Sequence, residues 1–438
     1  MPSRREMSRA KTALSLAIPA LGALAADPLV SLVDTAFVGR LGPAQLGALG
    51  VCASVFGLAF FVFNFLATGT TPLVADAVGR GDRSAASRVT MSALSLAVVA
   101  GVGAALVLEL AAEPILSLMG ASGELRAPAL AYLRVRALAA PAVLLVTVGH
   151  GVFRGYHDTR TPLWVTLGLN LVNLALDPLL IFGLGWGIAG AAWATTLAQW
   201  AGALVFVWLL LFRARETLGI ERAWPRLADV THLARVGGAL ALRTLSLLLV
   251  FTYATAVAAR LGTLDVAAHQ VAAQIWLFLS LVVDALAVAG QALVGSALGR
   301  GDRAEARHVA NMLLRWGLGL GLALAALFAL LAHPLPRLFT DEADVIARVG
   351  DVYVFVVVSQ PIGALVFVWD GLFQGAQDFR FLAVQMIVSA LTACGILALV
   401  LPMGWGLNGV WWAMLALLVA RALTLGWRYW LGGGPLRA

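Results

Sequence analysis

The chain has 438 residues, of which 61% are hydrophobic and 12% are charged, and its formal net charge at pH 7 is +7. A soluble domain carries about 25% charged residues, so this composition argues against a soluble domain and favours a polytopic membrane protein. The basic residues, arginines apart from Lys11, lie in short connections between apolar segments. This distribution is typical of the positive-inside rule, and no nucleic-acid partner is predicted.

The apolar residues fall into twelve segments, each near or above the ~20 residues that a helix needs to cross a bilayer. Lipid offers no partner to unpaired backbone groups, so each segment is predicted to be a helix. The first is longer than the core of a cleaved signal peptide, so we expect it to be retained. The segments lie near 13–38, 46–72, 89–112, 128–152, 161–183, 188–212, 236–259, 266–298, 309–331, 349–373, 381–401 and 408–430.

The two halves of the chain repeat each other at an offset of 220 residues. The pentapeptide GRGDR occurs at 79–83 and again at 299–303, and FRGYHDTR at 153–160 matches FQGAQDFR at 373–380. Six spans per half is an even number, so both halves are predicted to enter the membrane in the same orientation, related by a pseudo-two-fold axis along the membrane normal. Internal duplication of this kind is typical of secondary transporters.

The repeat and the polar stretch at its centre predict the domain organisation. We expect an N-terminal six-helix lobe at 1–212, a cytoplasmic linker at 213–235 and a C-terminal six-helix lobe at 236–438. Arginines are concentrated in the connections on the side of the N-terminus. Both termini are therefore predicted to be cytoplasmic, in a multi-pass protein of the cytoplasmic (inner) membrane.

Differences between the copies indicate where function lies. Asp34 corresponds to Ala254 and Asp177 to Leu397, so only the N-terminal half carries these two carboxyl groups. Pro19 also has no proline counterpart, which predicts a helix bend in the N-terminal half alone. An ionisable group within a span costs roughly 2.5–3.5 kcal/mol and is by default a functional hypothesis. The alternative is a structural polar cluster that ties helices together.

The surroundings of Asp177 suit a site for a proton or a cation. Asn170 and Asn173 share one helix face with Asp177, and Tyr132 and Thr195 could add hydroxyl groups. Carboxylate, amide and hydroxyl oxygens serve H⁺ and Na⁺ equally well, so the coupling ion is left open. No metal site or other cofactor is predicted.

The C-terminal half has its own polar residues within the predicted spans. These are candidates to line a cavity, although hydrogen bonding between helices explains them equally well. Arg243 could extend to the membrane surface or bind an anionic headgroup. The set comprises Asp284, Asp370, Gln270, Gln274 and Arg243.

Four motifs resemble the multidrug and toxic compound extrusion (MATE) family, DinF-type branch: SLVDTAFVGRLG, GTTPLVADAVGRGD, FRGYHDTRTPL and NLVNLALDPLLIFGLGWGIAGAAWAT. The resemblance implies an all-α fold of two six-helix bundles around a V-shaped central cavity. It also implies that Pro19 bends the first helix. The cation site that it implies consists of Asp34, Tyr132, Asn173, Asp177 and Thr195.

The resulting hypothesis is a multidrug antiporter that exports cationic or amphipathic small molecules in exchange for H⁺ or Na⁺ and works as a monomer in the bilayer. A flippase for lipids or lipid-linked precursors is the main alternative, and it would need basic residues for a phosphate. An enzyme is not expected, because no catalytic motif is present and the loops are short.

Overall fold

The computed structural model describes residues 4–213, 219–220 and 225–436, and these residues form fifteen α-helices without a β-strand. Residues 214–218 and 221–224 of the predicted linker lie outside the described residues. The first nine helices are α1 (Arg4–Gly39), α2 (Pro43–Phe61), α3 (Phe65–Gly79), α4 (Arg83–Leu110), α5 (Ala112–Leu118), α6 (Arg126–Ala137), α7 (Ala140–Gly155), α8 (Arg160–Pro178) and α9 (Gly187–Trp208). The others are α10 (Leu227–Leu261), α11 (Thr263–Gly299), α12 (Arg303–Leu330), α13 (Ala343–Gly375), α14 (Phe379–Val400) and α15 (Gly406–Trp430).

The predicted twelve-span membrane fold is confirmed. Within the described ranges, eleven helical segments are long and apolar enough to cross a bilayer, with α2 and α3 counted as one, and α6 with α7 supplies the twelfth. Large apolar side chains such as Leu171 and Leu391, 66% and 68% exposed, lie on the surface. A soluble protein would bury most of this surface, whereas lipid solvates it.

The fourth span is bent rather than continuous. The sequence predicted one segment at 128–152, but α6 and α7 meet at an angle of 50°. Pro141 lies in the first turn of α7, where it cannot donate a backbone hydrogen bond and its ring would clash with the preceding turn. The matched Pro361 lies inside the continuous helix α13, so the proline permits the break without imposing it.

The chain divides into two compact units. One comprises residues 18–238, and the other combines residues 239–438 with 1–17. Within the second unit, Arg9 near the start of α1 donates to both carboxylate oxygens of Glu305 on α12, with Nε at 2.8 Å. This bidentate ion pair joins the first turns of α1 to the C-terminal half of the sequence.

The GRGDR pentapeptide forms the same turn in both units. Gly81 and Gly301 have φ angles of +70° and +76°, which favour glycine. Asp82 and Asp302 then cap the next helix by accepting a hydrogen bond from the amide three residues later, at 2.9 and 2.8 Å. The repeated pentapeptide therefore ends one helix and begins the next in both copies.

Close helix crossings are also repeated at the offset of 220. A side chain at Gly101 would place its Cβ 2.4 Å from the Cα of Pro141, and one at Gly321 would lie 2.8 Å from the Cα of Pro361. The glycines let α4 approach α7, and α12 approach α13, at backbone contact distance. The duplication therefore preserves the backbone packing of each unit.

Candidate functional site

Two polar contacts join α1 to α8 in the unit of residues 18–238. The carboxyl groups of Asp34 and Asp177 lie within hydrogen-bonding distance of each other. Asn170 donates from Nδ2 to Oδ1 of Asp27 at 3.2 Å. In each helix the two contacts are seven residues, or about 10 Å, apart. The contact segments of α1 and α8 therefore run side by side in the same direction.

The helical period explains why these residues meet. Residues three, four and seven positions apart share a helix face. Asn170, Asn173 and Asp177 follow this spacing, and all three are buried. Asn173 donates from Nδ2 to Oδ2 of Asp177 at 2.8 Å. Asp177 is fully buried, so its carboxyl group depends on these few partners.

The contact between the two carboxyl groups defines the chemistry. Ionised carboxylates only accept hydrogen bonds, so a hydrogen bond between Asp34 and Asp177 requires that one of them carries a proton. Oδ1 of each is buried and has no partner in the described part of the chain. The pair can therefore hold one proton between two helices.

Tyr132 joins this cluster, and Thr195 makes a different bond. Tyr132 on α6 is buried and lies close enough to both carboxyl groups to interact electrostatically. Its ring packs edge-on against Phe56 at 6.5 Å. The hydroxyl of Thr195 donates instead to the carbonyl of Ala191 in its own helix, at 3.0 Å.

Pro19 lies within α1, as does Pro28. Each proline lacks the N–H that would bond to the carbonyl four residues earlier, so α1 lacks two of its internal hydrogen bonds. The helix is continuous from Arg4 to Gly39. A bend of α1 during transport stays a prediction.

Sequence reasoning missed Arg136. This residue lies on α6, one turn after Tyr132, and its charge acts on both Asp34 and Tyr132. Its guanidinium carbon is 5.2 Å from the centroid of the Phe56 ring. The available signal was the helical spacing of four residues from Tyr132.

The polar residues of the second unit form an ion cluster. Arg243 donates from Nη2 to Oδ2 of Asp370 at 2.5 Å, and Arg421 bonds to the same oxygen. Arg421 is 1% exposed and also interacts with Asp284. Arg243 is therefore paired with a carboxylate, in place of either alternative considered from the sequence. The amides of Gln270 and Gln274 belong to exposed residues of α11.

Arg421 was the second residue that sequence reasoning missed. It lies at the centre of the apolar segment 408–430, whereas Arg428 lies near its end, and its counterpart at the offset of 220 is Ala201. The comparison of the halves that identified Asp34 and Asp177 would therefore have found it, had it been applied to basic as well as acidic residues.

A duplicated helical membrane protein with ionisable groups buried inside its units belongs to the class of secondary transporters. The comparisons with known proteins agree. The MatE family model matches residues 19–179 and 239–398, one match in each half. The chain therefore belongs to the MatE family, it is a multi-pass membrane transporter, and it is not an enzyme.

Relatives cover nearly the whole chain. Protein DETOXIFICATION 44, chloroplastic, of Arabidopsis thaliana is 37% identical over 96% of this chain and 82% of its own. DNA damage-inducible protein F of Escherichia coli, or DinF, is 29% identical over 95% and 92%. A solved outward-facing multidrug resistance MATE family transporter superposes with a TM-score of 0.85, at 26% identity, covering 96% of this chain and 94% of that one. The predicted family is confirmed.

Proposed function

We propose that the protein is a secondary active multidrug antiporter that exports cationic or amphipathic small molecules in exchange for protons. The observation that carries this proposal is the contact between Asp177, which is fully buried, and Asp34, which is partly buried, on two different helices. The solved relative described as a multidrug resistance transporter supports multidrug efflux.

Loss of the proton links the site to the conformation of α1. With the proton present, the carboxyl groups are bridged by a hydrogen bond and α1 is held against α8. Without it, two adjacent carboxylates repel each other. Because Pro19 and Pro28 leave α1 short of backbone hydrogen bonds, this helix is the element expected to move.

Transport is coupled to protons if the substrate binds the protonated and the deprotonated state of the protein with different affinity. A pH gradient supplies about 1.4 kcal/mol per unit, and the membrane potential supplies about 2.3 kcal/mol per charge per 100 mV. Either is enough to change the occupancy of the two states severalfold.

The geometry favours H⁺ over Na⁺ as the coupling ion. One proton bridges two oxygens at hydrogen-bonding distance, whereas a sodium ion must separate them and gather several oxygen ligands.

A flippase is less well supported. It needs free basic groups for a phosphate, but Arg243 is bonded to Asp370. The carboxyl site lies within residues 18–238 of a single chain, so we propose that a monomer is functional. The arginine distribution supports both termini in the cytoplasm and an inner-membrane location.

The test is efflux of a fluorescent cationic dye from proteoliposomes under an imposed pH gradient. Wild-type efflux should require the gradient, and Asp34→Asn should abolish that dependence. Asp76→Asn is the matched control, because Asp76 forms an ion pair with the exposed Arg80 at 2.7 Å. Equal efflux by wild type and Asp34→Asn would refute the proposal, and efflux that follows a sodium gradient alone would replace H⁺ by Na⁺.

A further inference from the structure

Arg136 is placed beside the carboxyl pair without a bond to it. Its Nη1 atom is buried and has no hydrogen-bond partner in the residues that the structure describes. A buried guanidinium nitrogen without a partner is costly, because it has lost its water and gained nothing in return. The contact with the face of Phe56 compensates for only part of this loss.

The carboxyl pair has a complementary acceptor. Oδ1 of Asp34 is buried and accepts no hydrogen bond from a donor group in the described ranges, and the charge of Arg136 acts on Asp34. The bond to Asp177 can satisfy this oxygen only while the proton is shared, so loss of the proton leaves an unsatisfied donor and an unsatisfied acceptor near each other. The arrangement is what a second bonding state of the same site would require.

We propose that Arg136 is the internal counter-ion of the carboxyl pair, which bonds to Asp34 when the shared proton leaves. In the protonated state, Asp34 and Asp177 bond to each other and Arg136 rests on Phe56. When the proton passes to water, Asp34 exchanges Asp177 for Arg136, so no buried carboxylate is left beside another without compensation. This inference rests on the proposed function, because it explains how the same site releases its proton.

The charge of Arg136 also determines how many protons the site can exchange. Two ionised carboxylates and one guanidinium carry a net charge of −1, which one proton neutralises. Arg136 therefore sets the site to carry a single exchangeable proton. Among the described residues, the titratable and charged groups around the pair are Tyr132 and Arg136 on α6, together with Cys52 on α2, which acts on Tyr132. Arg136 is the only one of these three that is charged at neutral pH.

The expected effect of removing this charge has a definite sign. Loss of a nearby positive charge favours the protonated carboxyl, so Arg136→Gln should hold the proton to higher pH. We therefore expect the midpoint of the carboxyl titration to move to higher pH in Arg136→Gln.

Infrared spectroscopy measures this directly in the purified full-length protein. The C=O band of protonated carboxyl groups is titrated against pH, and the difference between each protein and its Asp177→Asn counterpart isolates the pair. Arg136→Gln should move the midpoint upward, and Arg136→Lys, which keeps the charge, should move it clearly less. The control is Arg134→Gln, since Arg134 is half-exposed and pairs with Glu109 at 3.3 Å.

The outcomes distinguish the counter-ion role of Arg136 from the proposed antiport function. A midpoint in Arg136→Gln that coincides with wild type overturns the counter-ion role, even if efflux remains proton-driven. An equal shift in Arg136→Gln and Arg136→Lys overturns it too, because the effect would then not follow the charge. An upward shift confined to Arg136→Gln supports it, and dye efflux in proteoliposomes independently decides the proposed function.

Discussion

Replacing Asp370 by asparagine removes the acceptor that two arginines share. Arg243 and Arg421 both donate to its Oδ2, and the side chains of Arg421 and Asp370 are 1% and 3% exposed. Removal of one partner from a buried ion pair typically costs about 3–5 kcal/mol, because the remaining charge is left without compensation. Asp284 also acts on Arg421, so we expect the lower end of this range, about 3 kcal/mol.

This cost is large enough to measure as thermal stability. For a unit of about 200 residues, 1 kcal/mol corresponds to roughly 2–4 °C in Tm, so Asp370→Asn should lower Tm by about 6–12 °C. The assay is thermal unfolding in detergent, followed by size exclusion after heating. Adding Arg421→Met to Asp370→Asn removes one of the stranded cations and should recover part of the loss.

Asp378→Asn is the matched control for Asp370→Asn. Asp378 accepts two hydrogen bonds from Arg428, at 3.0 and 2.9 Å. The side chains of Arg428 and Asp378 are 26% and 15% exposed, so this pair is less buried than that of Arg421 and Asp370. Exposed ion pairs contribute up to about 1 kcal/mol. If Asp370→Asn lowers Tm no more than Asp378→Asn does, the argument from a buried, uncompensated charge is refuted.

Two further predictions concern packing and the carboxyl site. Gly101→Ala should lower Tm by several degrees, because its Cβ would lie 2.4 Å from Pro141, whereas Gly103→Ala on the same helix has open space and should leave Tm unchanged or raised. Equal thermal stability of the two variants would contradict the close crossing. Asn173→Leu removes the donor to Asp177 and should cost about 1–3 kcal/mol, measured by the same unfolding assay; a stability equal to wild type would show that this hydrogen bond contributes nothing.

The features that could be predicted from sequence are those that depend on period and length. Twelve apolar segments follow from the thickness of the bilayer, and the repeated turn follows from glycines that adopt positive φ. Asn170, Asn173 and Asp177 were assigned to one face by the helical period, and all three are buried together. Each of these inferences concerns a single element or a direct comparison of the two copies.

The features that escaped prediction depend on contacts between elements. A proline in an apolar segment does not by itself show whether the span bends, because Pro141 lies at the start of α7 whereas the matched Pro361 lies inside the continuous helix α13. Arg421 and Asp370 are 51 residues apart in sequence, and no local pattern brings them together. Arg136 follows Arg134 by two residues, and only the packed structure shows that Nη1 of Arg136 is buried whereas Arg134 is half-exposed.

The two units compensate buried charge in different ways, and the difference bears on mechanism. Asp370 is bonded to the guanidinium groups of Arg243 and Arg421, which stay charged at any physiological pH. Asp34 and Asp177 bond to each other, and that bond exists only while one of them is protonated. The backbone crossings are kept in both units, at Gly101 and Gly321, so the duplicated scaffold is common to both. It follows that the contact that depends on a proton lies in the unit of residues 18–238, where we expect Asp34→Asn to act.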